Sequence, residues 1–125
     1  MKHSSLLVLM FALLSGCASL QGADACSIFS PSASRGTVSR IEAIYSRGPT
    51  HGAVLIGPGC HYRLMRVWGE SEAVGPASQA FAHAIGSGGV DGWKAQYRID
   101  ATVVVTGDEG GAMLKLLQVW SFSLE

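Results

Sequence analysis

Charge is scarce in this chain, and neither sign prevails. Lys plus Arg number nine and Asp plus Glu also nine in 125 residues. No basic field exists to draw in nucleic acid, which is therefore not an expected partner. Catalytic signatures are missing as well. The chain has no GxSxG elbow, no Ser/His/Asp arrangement and no close carboxylate pair in a strand-like segment. The expectation is no enzyme and no cofactor. CxxC pairs and Cys/His ligand spacings are absent, so metal is not expected either. No apolar run reaches the roughly 20 residues that a membrane-spanning helix needs. The apolar fraction is 48%, which is ordinary for a folded domain and argues against disorder.

What is present begins at the N-terminus. Met1-Lys2-His3 is a short positive segment, and Leu6 to Leu14 is a continuous apolar run. Its length and position are those of a cleaved secretion signal. The small residues Ser15 and Gly16 then lead into Cys17. Leu14-Ser15-Gly16-Cys17 resembles the lipobox of bacterial lipoprotein precursors. The resemblance implies export, cleavage between Gly16 and Cys17, and acylation of the Cys17 sulfur. It also implies a partner: the membrane, through two or three acyl chains of the palmitate kind. One chain binds marginally, and each buried methylene adds about 0.8 kcal/mol, so several chains anchor stably. Ala18, where an Asp does not stand, implies the outer membrane facing the periplasm if the cell is Gram-negative. The plain alternative is a cleaved signal with Ala18 or Ala23 beside the cut and Cys17 discarded.

Removal of residues 1–16 takes Lys2 with it. Eight Lys plus Arg then face nine Asp plus Glu, a side-chain sum of about −1. Cys26 and Cys60 remain, in a compartment where disulfides persist. Two cysteines allow one bridge, closing a loop of about 35 residues and contributing roughly 3–4 kcal/mol in the chain-entropy account. Two free thiols or a metal pair are the alternatives.

Residues 17–36 read as a flexible tether, small, polar and broken by Pro31 and Gly36. Cys26-Ser27-Ile28-Phe29 interrupts it with apolar side chains that suit docking on the body. Residues 37–125 read as a single small β-rich domain. Thr37 to Ser46, Ala53 to Ile56 and Cys60 to Trp68 are strand-like. Gly75-Pro76 opens a helix with Ala77, Ala80, Phe81, Ala84 and Ile85 on one face, ended by Gly86. Trp93 to Thr106 alternates with period two, placing Tyr97, Ile99, Ala101, Val103 and Val105 inward and Arg98 and Asp100 outward. Gly107 to Gly111 is a hairpin turn. Ala112 to Ser123 is the last strand, with Leu114, Leu116, Trp120 and Phe122 in one register. The order β-β-β-α-β-β resembles the oligonucleotide/oligosaccharide-binding (OB) fold, a five-stranded Greek-key barrel with its helix between strands three and four. An open antiparallel sheet with one packed helix is the alternative.

Four cations, Arg63, Arg66, Lys94 and Arg98, form one candidate binding surface if strands three and four are neighbours. Trp68, Trp93 and Tyr97 would supply aromatic faces there for an envelope protein or a cell-wall glycan. The plainer reading is a solvated sheet face over core aromatics. A second reading is a small periplasmic hydrolase using His51 or His61, which requires one of them to meet Asp91, Asp100 or Asp108 in a pocket. His83 falls off the apolar face of the helix. The glycine-rich segments 86–89 and 107–111 lack the lysine and the strand-to-helix placement of a phosphate loop.

Overall fold

The computed structural model describes residues 25–48, 52–86 and 95–125. Five strands carry most of them: β1 (Val38–Gly48), β2 (Gly52–Gly57), β3 (Arg63–Trp68), β4 (Gln96–Asp108) and β5 (Gly111–Leu124). One helix, α1 (Pro76–Gly86), stands between β3 and β4. The strands close into a barrel in the order β1-β2-β3-β5-β4, with β4 pairing back onto β1. Only β3 and β5 run parallel. This is a small OB-like barrel with a packed helix. The open-sheet alternative is set aside by the β1–β4 ladder, which runs from Val38↔Val104 to Ser46↔Gln96.

The inward register follows the alternation of the sequence on β1 and β4. Ile41, Ala43 and Tyr45 face Ala101, Ile99 and Tyr97 across the ladder, and all but Tyr97 are buried. On β5 the alternation breaks twice. Asp100 pairs with Ser121 and Ala101 with Val119; Thr102 pairs with Gln118 and Val103 with Leu116. Trp120 and Leu117 are thus the extra residues of two bulges. The inward set becomes Leu114, Leu116, Val119 and Phe122, and Trp120 turns outward to 44% exposure. The expected Leu114-Leu116-Trp120-Phe122 register fails at Trp120 for that reason. The β4–β5 hairpin turns at Glu109-Gly110, and Gly107 makes it possible at φ 149°. A Cβ at 107 would collide with the Gly111 carbonyl oxygen and stand 2.9 Å from the Ala112 Cα.

The two ends of the barrel are closed differently. At the Tyr45 end sits α1. Its inward residues are Ser78, Phe81 and Ile85. Ala80, expected inward, is exposed, and Ser78 takes the buried place. A serine is accepted there because its hydroxyl is fully used. It donates to the Val74 carbonyl at 2.7 Å and accepts the Val119 N–H at 2.7 Å, serving the backbone at a β5 bulge.

At the Ile41 end sits the segment before β1. Ala25–Ile28 forms a 3-10 turn, and Ile28 and Phe29 join the core at 1% and 3% exposure. Gly36 donates to the Val105 carbonyl at 2.8 Å, and Arg35 to the Asp108 carbonyl at 2.7 Å. Residues 25–36 therefore belong to the body, and the expected tether 17–36 is too long by that stretch. Residues 17–24 lie outside the described residues, as does Cys17. The apolar pair Ile28-Phe29 overrides the polar composition around it.

Cys26 and Cys60 are joined as a disulfide, with Cα atoms 5.3 Å apart. The bridge fixes the segment to the turn between β2 and β3. The full chain under denaturing, non-reducing conditions should label neither Cys26 nor Cys60 with a thiol reagent, and recovery of those two thiols would refute the bridge. Cys26→Ala with Cys60→Ala should lower stability by about 3 kcal/mol, since the unfolded chain regains the freedom of the loop. Urea denaturation checks this value.

Candidate binding surface

β3 is six residues long and gives the core only Met65 and Val67. Leu64, Arg66 and Trp68 face out, and Arg63, in the inward register, is exposed at the strand's start. Leu64 is 60% exposed, and Tyr62, just before the strand, is 68% exposed. The turn that projects Tyr62 is unusual. His61 and Tyr62 both adopt positive φ, 58° and 55°. Such a conformation costs a non-glycine residue roughly 1–2 kcal/mol. It is held by the Cys60 bridge and by the Tyr62 N–H, which donates to the Gly57 carbonyl at 2.8 Å.

The ladder registers extend this face across three strands. Leu64 stands opposite Ile56 on β2, and Ile56 opposite Ile44 on β1. Val54 stands opposite Arg66. Val54 and Ile56 are half-buried on the outside of the barrel. Ile44 is buried there although it lies outside the inner core cluster. An aliphatic band therefore crosses β1 and β2 and ends at the exposed Leu64 and Tyr62.

Of the four expected cations, Arg63 and Arg66 share β3. Both are exposed, and neither makes an ion pair or hydrogen bond among the described residues. Arg66 reaches over the β4–β5 hairpin, with Nη2 3.7 Å from where a side chain at Gly110 would begin. Asp108, beside it, gives one carboxylate oxygen to the Gly110 N–H at 2.8 Å. Arg98 does not join them. β3 borders β2 and β5, whereas β4 borders β1 and β5. Along the row Arg98–Ile44–Ile56–Leu64, two strands stand between Arg98 and β3, although the Arg98 guanidinium still feels the Tyr62 phenol just ahead of β3. Arg98 is also already paired, with Nε and Nη2 each 3.2 Å from a Glu125 carboxylate oxygen. Lys94 and Trp93 lie outside the described residues. The condition behind the four-cation surface, strands three and four side by side, is not met.

The aromatics separate in the same way. Tyr97 packs into a core ring cluster with Phe81 at 5.7 Å and Phe122 at 6.0 Å. Trp68 lies outside, but its N–H donates to Thr106 Oγ1 at 2.9 Å and Lys115 Nζ sits 4.8 Å over its ring. Trp120 repeats this arrangement with Thr102 at 2.9 Å and Arg40 at 4.7 Å. Both indoles have their polar edge and one face in use. Arg40 in turn grips Asp100 at 3.0 Å through both Nε and Nη2, and that hydrogen bonding holds the Asp100 carboxyl below its usual range.

Asp100 and Asp108 are thus engaged with Arg40 and the hairpin backbone. His61 is exposed at the turn before β3 and meets neither, and His51 and Asp91 lie outside the described residues. Among the described residues, no three His, Cys, Asp or Glu side chains gather as a metal would require. No described helix is long and apolar enough to cross a membrane.

A second polar cluster lies where β1 ends under α1. The Tyr45 hydroxyl donates to Glu70 Oε2 at 2.9 Å, and Arg47 Nη2 donates to the Ile85 carbonyl at 2.8 Å. Burial, then the Glu70 charge, pushes the Tyr45 phenol well above the usual tyrosine range. The pair ties the β3–α1 loop to the barrel wall, and Arg47 satisfies the C-terminal end of the helix.

Tyr62, Leu64 and the aliphatic band were not anticipated. The sequence signal for them was Arg63 and Arg66 interrupting an apolar strand. Compared with protein-family models, curated proteins and solved structures, the chain matches none.

Proposed function

We propose that this chain is a lipid-anchored lipoprotein of the cell envelope, on the outer membrane facing the periplasm in a Gram-negative cell, whose barrel works by binding. The anchor is Cys17, and the binding surface is the outer face of β1–β3 with Arg63 and Arg66 at its rim. The observation that carries the reading is β3 itself. A strand that gives two residues to the core, follows an exposed tyrosine, and presents an exposed leucine and two arginines that pair with nothing among the described residues is shaped for contact. Its partner in this reading is an envelope protein or a cell-wall glycan.

Two measurements test it. Cys17→Ser should abolish acylation and leave unprocessed precursor; normal processing with retained membrane partition would overturn the anchor. A photo-crosslinking side chain at Leu64 should capture a partner in intact cells, and Arg63→Glu with Arg66→Glu should remove that adduct. The same crosslinker at Ser121, exposed on β5, serves as control. Equal adducts at both positions, or an adduct indifferent to the arginines, would overturn the surface.

A further inference from the structure

β3 is an edge strand for most of its length. Arg63 to Arg66 pair with Gly57 to Val54 of β2. β5 joins β3 only at Val67↔Leu114 and Trp68↔Lys115. Gly111 to Met113, where β5 begins, pair with β4 alone. Apart from these ladders, no backbone hydrogen bond reaches residues 63–65 among the described residues. The barrel wall therefore opens into a wedge between the first half of β3 and the β4–β5 hairpin. On its β3 side, the alternate N–H and C=O groups of residues 63–65 that turn away from β2 meet no backbone partner among the described residues.

The geometry points to strand addition: an extended acidic peptide segment of a partner protein pairs with β3 along Arg63–Arg66. This inference rests on the binding reading above and specifies the partner of that same surface. Charge selects the occupant. Arg63 and Arg66 flank the open edge and form no ion pair among the described residues, the Asp108 carboxylate near Arg66 being turned to the Gly110 N–H, so acidic residues on the added strand would pair with them. Alternation selects its pattern. Leu64 and Arg66 point outward, whereas Arg63 shares the inner register of Met65 at the open end of the barrel, so the added strand needs an acidic residue on its outer side for Arg66, an aliphatic one inward beside Met65, and a further acidic residue at the barrel end for Arg63. A second copy of this chain fits poorly, because it would bring arginines against arginines, the usual device that blunts an edge against self-pairing. A lipid surface fits poorly too. It cannot hydrogen-bond the open backbone groups, and immersing them in hydrocarbon is costly.

The probe is an end-blocked peptide of alternating glutamate and valine, added to the full-length protein in detergent. Amide hydrogen exchange of residues 63–66 is the readout. In the free protein, alternate amides of this stretch should exchange rapidly, and the peptide should slow them about tenfold or more by forming new backbone bonds. N-methylation of alternate peptide amides should weaken binding about tenfold, as expected for the loss of two backbone bonds. Arg63→Glu with Arg66→Glu should weaken the acidic peptide about tenfold and favour the lysine–valine counterpart. An absence of protection at any soluble peptide concentration overturns the inference, as does equal binding of the N-methylated peptide. Protection by anionic phospholipid vesicles in place of the peptide overturns it in favour of a lipid surface. If Leu64 crosslinks a partner in cells while these tests fail, the binding surface stands and strand addition falls. If neither gives a signal, both fall.

Discussion

Ile99→Asp should leave little folded protein, while Arg98→Asp, one residue earlier on β4, should melt close to the parent. Ile99 is 1% exposed and stands between Ala43 on β1 and Phe122 on β5. An aspartate there loses the burial of an isoleucine and places a carboxylate where no donor reaches it. A buried, unpaired charge is among the few changes that exceed about 4–5 kcal/mol. A domain of this size has only about 5–15 kcal/mol to lose. Arg98 is at the surface and bound to Glu125, so its replacement removes one exposed ion pair and sets two carboxylates near each other. Such exposed pairs contribute little because water and salt screen them. Thermal melts of both variants, followed by far-UV circular dichroism, decide the matter. Comparable destabilisation by the two would mean that β4 does not have one wet and one dry face.

That contrast was legible in the sequence because β4 keeps strict period two from Tyr97 to Val105, and a ladder that meets no bulge on its own strand preserves the period. β5 was not legible. Its partner β4 curves around the barrel, and β5 follows by inserting Leu117 and Trp120 as bulges, which converts an alternating pattern into one that skips. Trp120 thereby faces Arg40 and solvent. Helix α1 could be placed from Pro76 and Gly86, but its inner face could not. Alanine reads as apolar wherever it falls, so Ala80 is expected inward, and nothing in the sequence marks Ser78 for burial because its partners, Val74 and Val119, are visible only in three dimensions. The Cys26–Cys60 bridge followed from counting. The plug made by Ile28 and Phe29 was only hinted at, since two apolar residues in a polar stretch do not announce a core position.

The candidate surface was half legible for a topological reason. Arg63 and Arg66 stand out locally, but which strand adjoins β3 depends on a crossover, and the crossover through α1 puts β5, not β4, beside it. Arg98 was grouped with β3 on an adjacency that local pattern cannot supply. Tyr62 was hidden because its exposure comes from consecutive left-handed residues, which only the disulfide-held turn makes tolerable.

Phe81→Ala should cost about 4–5 kcal/mol, near the top of the range for a large aromatic in a core. Phe81 is completely buried and is the one residue of α1 that three rings meet edge-on: Tyr45 at 5.0 Å, Phe122 at 5.3 Å and Tyr97 at 5.7 Å. Each such pair adds about 0.5–1.5 kcal/mol beyond the area it buries. The alternative anchors of α1 are weaker, namely Ile85 and the Ser78 hydroxyl. Removing the ring therefore opens a cavity at the mouth of the barrel and loosens the helix together. Near-UV circular dichroism should lose the signal of the packed tyrosines, and urea denaturation should give the stability change. Ala80→Gln, on the exposed side of the same helix, should change stability by less than about 0.5 kcal/mol. Phe81→Leu should fall between them, since it restores apolar volume without ring contacts. A Phe81→Ala protein with an unchanged unfolding midpoint would show that the barrel core is complete without its helix, and that α1 rests on the Tyr45 end without closing it.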